Sequence, residues 1–102
     1  MPKFVKLATI DELPNGAMKE VEIGDRIIGL FNVDGIISAI DGLCPHQGGP
    51  LVEGTLEGSI VTCPWHGWQF DVRTGRTLLG AKTTQTVYSV KLEGPDVMVE
   101  VP

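Results

Sequence analysis

Every cysteine and every histidine of this 102-residue chain lies in one of two short clusters. The first reads Cys44-Pro45-His46, the second reads Cys63-Pro64-Trp65-His66, and the stretch 47–62 separates them. Two thiolates and two imidazoles, each pair held in a turn rich in proline and glycine, form a four-ligand set for a metal. The chain must therefore fold so that two separate loops meet at one point, and this requirement constrains it more than any other feature.

The spacing of the two clusters favours a cofactor larger than one ion. One or two residues between a cysteine and its histidine let both side chains of a loop point into one site, and the long separation lets the loops approach from opposite sides. A single tetrahedral zinc is an alternative, because Cys₂His₂ is a zinc ligand set, although zinc sites usually pair like with like. A disulfide between Cys44 and Cys63 is another, but it leaves the positions of both histidines unexplained.

The pattern Cys-x-His, sixteen residues, Cys-x-x-His resembles the Rieske type of [2Fe–2S] protein, in which two cysteines hold one iron and two histidines the other. The flanking runs Gln47-Gly48-Gly49-Pro50-Leu51 and His66-Gly67-Trp68-Gln69-Phe70-Asp71 are similar to that family too. The resemblance covers essentially the whole chain. It implies one Rieske-type cluster, and the iron ligands that it implies are Cys44, His46, Cys63 and His66.

The residues beside the ligands are expected to contact the cluster. They are Gln47, Gly48, Gly49, Trp65, Gly67 and Trp68. The three glycines are expected to bring backbone N–H groups toward the sulfur atoms, where hydrogen bonds stabilise the reduced cluster. Trp68 and Phe70 are expected to pack as core beneath the cluster, while Trp65, between two ligands, is expected near the surface.

The chain departs from the high-potential branch of the family. Relatives in respiratory complexes carry a disulfide that joins the two loops, and the matching positions here are Gly49 and Trp65. Those relatives also place a serine and a tyrosine hydroxyl near the sulfurs, where this chain has Trp68 and Phe70. With fewer donors to stabilise the negative charge, we expect a midpoint potential at the low end of the Rieske span of about −150 to +300 mV.

Length, composition and charge fix the class of protein. A chain of 102 residues with 42% hydrophobic residues predicts one globular domain, 1–102. The net charge of −5 argues against nucleic acid and against an anionic membrane surface, both of which would repel the chain. No charged segment followed by an apolar run opens the sequence, and no apolar stretch is long enough to cross a bilayer, so the cytoplasm is the expected compartment.

Alternation of apolar and polar residues predicts an all-β, antiparallel fold. Thr9-Ile10-Asp11-Glu12 predicts a capping box and a single helical turn, and Asp34-Gly35 predicts a tight hairpin turn. The predicted strands are 20–23, 26–33, 35–40, 60–62, 68–72, 88–93 and 96–101. The resemblance agrees with a Rieske-like β-sandwich or barrel body, and the glycine- and proline-rich stretch of about 42–71 is expected to form a small inserted cluster-binding sub-structure.

One-electron transfer is the predicted function, and the chain is not expected to be an enzyme itself. It has no third histidine for a 2-His-1-carboxylate iron centre and no glycine-rich dinucleotide motif. Small Rieske proteins of this kind resemble the ferredoxins of bacterial aromatic-ring dioxygenases, which implies a flavoprotein reductase dependent on NAD(P)H and a terminal oxygenase as transient partners of a monomer. Two alternatives stay open: the small Rieske subunit of an NAD(P)H-dependent nitrite reductase, and a zinc-stabilised binding module.

Overall fold

The structure is a computed structural model, and it describes residues 3–43, 48–65, 67–77 and 85–101. In these residues all strand pairs are antiparallel, which confirms the predicted fold class. The strands are β1 (Lys3–Thr9), β2 (Met18–Ile23), β3 (Arg26–Val33), β4 (Ile36–Asp41), β5 (Thr55–Glu57), β6 (Ile60–Thr62), β7 (Gln69–Asp71), β8 (Val87–Tyr88), β9 (Val90–Glu93) and β10 (Asp96–Val101). Two single turns of 3₁₀ helix cover Ile10–Glu12 and Leu51–Glu53. In the described parts of the chain no helix has the length and apolar character to cross a membrane.

The strands form three sheets. The first has the order β1-β10-β9, the second β2-β3-β4-β8 and the third β5-β6-β7. The first two sheets make up what we call the body. The third sheet belongs to the insert, which we define as the described residues of 42–77, between β4 and β8. All three strands of the insert fall inside the stretch that the sequence set apart as a sub-structure.

The hairpin between β3 and β4 forms at the predicted turn. Asp34 and Gly35 have φ angles of 53° and 87°, so both turn residues lie in the left-handed region. Asp and Gly are among the residues that tolerate this conformation best, and it matches the twist of the flanking strands. The side chain of Asn32 fixes the turn, because its Oδ1 accepts a hydrogen bond of 2.8 Å from the Gly35 N–H.

The helical turn at Ile10–Glu12 also forms as predicted. The backbone N–H of Thr9 donates to Oε1 of Glu12 over 2.9 Å, which is the contact expected of a capping box. The preceding strand, β1, has no counterpart among the predicted strands. Its partly buried residues do not alternate cleanly with exposed ones, and its partner β10 lies at the far end of the sequence, so nothing local indicates the pairing.

The predicted strand 88–93 is divided between two sheets, which corrects the prediction. Tyr88 pairs with Ala39 in the second sheet, whereas Val90 pairs with Val99 in the first. The chain changes sheets at Ser89, whose carbonyl oxygen accepts from the Glu100 N–H over 2.9 Å. Leu92, expected to face the core, is 51% exposed. After the switch, β9 is an edge strand of the first sheet, so most of its side chains face outward.

Two apolar cores lie beneath these sheets. The body core packs between the first and second sheets, and its buried members are Ala8, Leu13, Ile28, Leu30, Ile37, Ala39, Tyr88, Val97, Val99 and Val101. The second core joins the insert to the other face of the second sheet, and its buried members are Phe31, Val33, Ile40, Leu51, Val61, Cys63, Phe70 and Val72. A potential metal ligand, Cys63, is thus part of the core that attaches the insert to the body.

Candidate metal centre

Cys63 directly follows β6 and begins the loop that leads to β7. Its side chain is 3% exposed, and its Sγ accepts a hydrogen bond from the Trp65 N–H over 3.4 Å. The loop is closed by the Cys63 N–H, which donates to the carbonyl oxygen of Trp68 over 2.7 Å. The sulfur is thereby held in place, shielded from water, and provided with a hydrogen-bond donor.

The strands on either side of this loop fix where it points. Thr62 pairs with Gln69, and the Gln69 Nε2 donates to Oγ1 of Thr62 over 3.2 Å. Phe70, the next residue, is buried in the second core, and its ring lies 6.4 Å from that of Trp68 between centroids. Both rings therefore pack where the sequence placed them, with Phe70 fully buried and Trp68 partly buried against the same core.

The first loop has a closed stem. Leu43 and Pro50 form an isolated antiparallel bridge, and the Leu51 N–H donates to the carbonyl oxygen of Gly42 over 2.9 Å. The Gly42 N–H in turn donates to the carbonyl oxygen of Ile27, in β3, over 2.8 Å. Leu43 and Pro50, which flank Cys44 and His46 in the sequence, therefore lie in a short stem anchored on the body.

The two loops meet at Gly49. A Cβ added to this glycine would lie 2.8 Å from Sγ of Cys63, closer than real Cβ atoms approach other groups, and 3.0 Å from Cγ of Trp65. Only a glycine allows this contact without displacement of the neighbouring atoms. Positions 49 and 65 are also those at which the family resemblance places a disulfide in the high-potential relatives. Here the Trp65 ring packs against the Gly49 backbone at the same point.

Of the remaining predicted site residues, three lie in the described part of the chain and four lie outside it. Trp65 is 49% exposed beside the buried sulfur, as expected. The Gly67 N–H donates to the carbonyl oxygen of Cys63 over 3.2 Å, and the Trp65 N–H donates to the sulfur of Cys63. Gly48 is exposed. The predicted residues outside the described part of the chain are Cys44, His46, Gln47 and His66.

The structure adds contacts that the sequence did not indicate, between Asp41 and the segment that leads into β8. The Asp41 N–H donates to the Thr86 carbonyl oxygen over 2.9 Å, and the Tyr88 hydroxyl donates to Oδ1 of Asp41 over 2.6 Å. Burial and this hydrogen bond raise the pKa of Tyr88, while Arg26 Nη1, donating to the same hydroxyl over 3.0 Å, opposes the rise. The Asp41 carboxylate, just before the first loop, thus accepts a hydrogen bond from a side chain of the body.

Gln85 contributes to the same base and was also missed. Its Nε2 donates to the carbonyl oxygens of Asp41 and Leu43 over 3.1 and 2.6 Å. Alternation with a buried Tyr88 would place Gln85 on the outward face, and a lone glutamine between threonines carries no motif. Its burial depends on the insert, which brings the end of β4 beside residue 85.

The described residues suit an iron–sulfur cluster. Cys63 supplies a soft sulfur ligand that is shielded from water, and the Trp65 N–H donates a hydrogen bond to that sulfur. Because Gly49 has no side chain, the first loop can lie close to Cys63, as a cluster held between two loops requires. In the sequence, a second cysteine and two histidines belong to the same two loops. This mixed sulfur and nitrogen donor set matches a Rieske centre.

Comparison with known proteins gives the same family. The family described as Rieske [2Fe-2S] domain matches residues 3–93. The chain is 38% identical over 100 residues to the ferredoxin component of the naphthalene 1,2-dioxygenase system of Pseudomonas aeruginosa, and the match covers 96% of this chain and 95% of that protein.

Two solved structures are similar over nearly their whole length. The ferredoxin of Sphingomonas yanoikuyae B1 has a TM-score of 0.90 at 27% identity, with 98% of this chain and 100% of that chain covered. One chain from the complex of reduced oxygenase and oxidized ferredoxin in carbazole 1,9a-dioxygenase has a TM-score of 0.87 at 26% identity, with 94% of this chain and 91% of that chain covered. Both similarities span the body and the insert together.

Proposed function

Because this chain belongs to the Rieske [2Fe-2S] domain family, we propose that it is a ferredoxin that carries single electrons to a terminal oxygenase. The observation that carries the proposal is its similarity to a dioxygenase ferredoxin component over nearly the full length of both chains. The protein is accordingly an electron carrier with one Rieske-type cluster rather than a catalyst.

Four residues hold the cluster in this proposal. Cys44 and Cys63 bind one iron, and His46 and His66 bind the other, from the two loops that meet at Gly49. The cluster supplies reversible uptake of one electron. The described residues keep water from the Cys63 sulfur, offset its negative charge with the Trp65 N–H, and hold the two loops at a fixed separation.

Partners dock at the loops. Trp65 and Leu43 are large apolar side chains exposed beside the two stems, which suits a small, transient interface of below about 1,200 Å². The net charge of −5 favours partners with basic docking surfaces, so we expect transfer to slow as salt is added. The donor is a flavoprotein reductase that takes hydride from NAD(P)H, since this sequence has no dinucleotide-binding motif of its own. The ferredoxin acts as a cytoplasmic monomer.

Reconstitution tests the proposal at its base. Anaerobic loading of the purified chain with iron and sulfide should give a red-brown protein that becomes paramagnetic on reduction. Voltammetry should place its midpoint potential at the low end of the Rieske span. Material that stayed colourless, or that bound one zinc instead, would overturn the assignment of the cofactor.

A transfer assay then tests the partner. The reduced protein, mixed with the oxygenase component of a naphthalene dioxygenase system, should be reoxidised in a rapid phase that slows at high salt. A reduced cluster that no oxygenase reoxidises, in a chain recovered only as a stable complex with a larger reductase, would favour the nitrite reductase subunit instead.

A further inference from the structure

Gln85 is one of two polar side chains that are buried in the described parts of the chain, the other being Asn32. It is 6% exposed, and both of its hydrogen bonds from Nε2 go to backbone carbonyl groups at the base of the first loop. The shorter of the two, 2.6 Å, ends on Leu43, the residue directly before Cys44. A buried amide is therefore bonded to the backbone beside a proposed iron ligand.

The other end of Gln85 is fixed to the insert. Its backbone N–H donates to the carbonyl oxygen of Gly75 over 2.7 Å. A Cβ added to Gly75 would lie 2.3 Å from the carbonyl oxygen of Gln85, so the two backbones are in direct contact. Gly75 is itself tied to the end of β7, because its N–H donates to the carbonyl oxygen of Asp71 over 2.7 Å. Since β7 pairs with β6, this contact leads to the strand that presents Cys63.

Gln85 therefore connects the stem of the first loop to the sheet that carries the second loop. One side of it holds the stem of the first loop, and the other side holds the third sheet, which carries the second loop. The neighbouring contacts of Thr86 and Tyr88 with Asp41 fix only the end of β4, one step further from the ligands. The Gln85 amide, by contrast, donates to the carbonyl oxygen of Leu43, which directly precedes Cys44 in the sequence.

We propose that Gln85 is a positioning residue for the cluster, which sets the separation of the two ligand loops because its side-chain amide bonds to the stem of the first loop while its backbone N–H bonds to Gly75 of the insert. The proposal rests on the assignment of Cys44 and Cys63 as ligands of one iron. Loss of the amide leaves two carbonyl groups at a buried stem without their donor, which favours opening of the stem. An open stem weakens the grip on the cluster and changes the geometry around the sulfurs.

The test compares Gln85→Met with Asn32→Leu. Methionine keeps the length of the side chain and removes the donors, while Asn32→Leu removes the other buried polar side chain, which bonds to Leu13 and Gly35 away from the insert. The free energy of unfolding of each apo-protein is measured with urea, and the two variants are then compared at equal global stability. Gln85→Glu serves as a second variant, because its carboxylate keeps the shape but faces the two carbonyl groups without a donor.

The first readout needs no cluster. Amide hydrogen exchange of the apo-protein should accelerate about tenfold at Gly42 and Leu51, whose N–H groups close the stem, in Gln85→Met and Gln85→Glu. In Asn32→Leu the acceleration should appear at Gly35 instead. Unchanged exchange at Gly42 and Leu51 in both Gln85 variants would overturn the proposal, even if the wild-type protein held no cluster.

The second readout uses the loaded protein. The EPR g values of the reduced cluster should shift in Gln85→Met, and the cluster should be lost to a chelator about tenfold faster, while Asn32→Leu keeps the g values of the wild type. Identical spectra and loss rates in Gln85→Met and the wild type would overturn the proposal while leaving the electron-carrier function intact. A wild-type protein that cannot be loaded would instead refute the proposed function.

Discussion

The body and the insert are built by different means, although both are antiparallel β structure. Strands β1 to β4 and β10 of the body are six to eight residues long, and their apolar side chains fill a core between two sheets. The three strands of the insert have three residues each. Strands so short do not hold a sheet together in water, so the insert depends on what it packs against and on what it binds.

Close approaches at glycine residues position the segments of the insert. Gly54 lies so close to β6 that an added Cβ would be 1.8 Å from the carbonyl oxygen of Thr62. At Gly49 the first loop also approaches Cys63 closely, since an added Cβ would lie 2.8 Å from its sulfur. Three residues of the body, Phe31, Val33 and Ile40, supply part of the core beneath. The body is stabilised by buried area, whereas the insert is positioned by a few close contacts. Stability and the placement of the ligands therefore respond to different substitutions.

The largest effect should come from removing a ligand. We expect His66→Ala to abolish the intact cluster, seen as loss of the visible absorption and of the EPR signal, while far-UV circular dichroism of the body stays near that of the wild type. Iron removal should have the same effect on the absorption and EPR signals, with hydrogen-exchange protection reduced but still measurable in the insert and unchanged in the body. Trp65→Phe is the matched control and should keep the cluster. Unfolding of the body in His66→Ala would show that the two regions are not separable.

Gly54→Ala should be the next most damaging change. The added methyl group would overlap the backbone oxygen of Thr62 in β6, and a backbone atom cannot move aside as the end of a flexible side chain can. We therefore expect a local loss of stability of more than about 4 kcal/mol. Exchange should accelerate at Cys63 and Val72, whose N–H groups bond within the insert, and stay slow at Glu100 in the body. Gly58→Ala is the control. It has open space but a φ of +59°, so it should cost only about 1–2 kcal/mol.

Leu30→Ala should reverse the pattern. This side chain is fully buried in the body core, and its truncation should lower the free energy of unfolding by about 2–5 kcal/mol, measured with urea. The EPR spectrum of the protein that remains folded should be unchanged, because the cavity lies away from the loops. Ile36→Ala, at an exposed position beside the hairpin turn, should change stability by less than about 0.5 kcal/mol. An altered spectrum in Leu30→Ala would show that packing of the body tunes the site.

The smallest expected effect is a dependence on pH in the body. Hydrogen bonds from Lys19 and Thr9 lower the pKa of Glu12 from 4.5 to about 2. Because the folded protein binds this proton less readily than the unfolded chain, the contribution of Glu12 to stability is present above pH 4.5 and is lost between about pH 4.5 and 2. Glu12→Gln should therefore reduce the difference between the urea midpoints at pH 7 and pH 3. An equal difference in both proteins would show that the contact with Lys19 is fully screened by solvent.

The sequence predicted what local chemistry dictates. The Asp34-Gly35 turn, the capping box at Thr9 and the alternating strand β10 formed as expected, since each depends on neighbours within a few residues. It missed β1, the change of sheet at Ser89 and the burial of Gln85, because each depends on a partner far away in the chain. The packing of Phe70 as core was expected from the motif, and the structure confirms it. The hydrogen bond from the Trp65 N–H to the sulfur could not be predicted, because it depends on the backbone conformation of the loop.

The pairing of β1 with β10 joins the two most distant described segments of the chain. During translation, residues 3–9 leave the ribosome long before residues 96–101 exist, so β1 has no partner while most of the nascent chain is made. Both ligand motifs are likewise synthesised before the first sheet can close. The second sheet needs no residue beyond β8, whereas the first sheet cannot form without β10, so the first sheet is the last part of the body that can assemble as the chain is made.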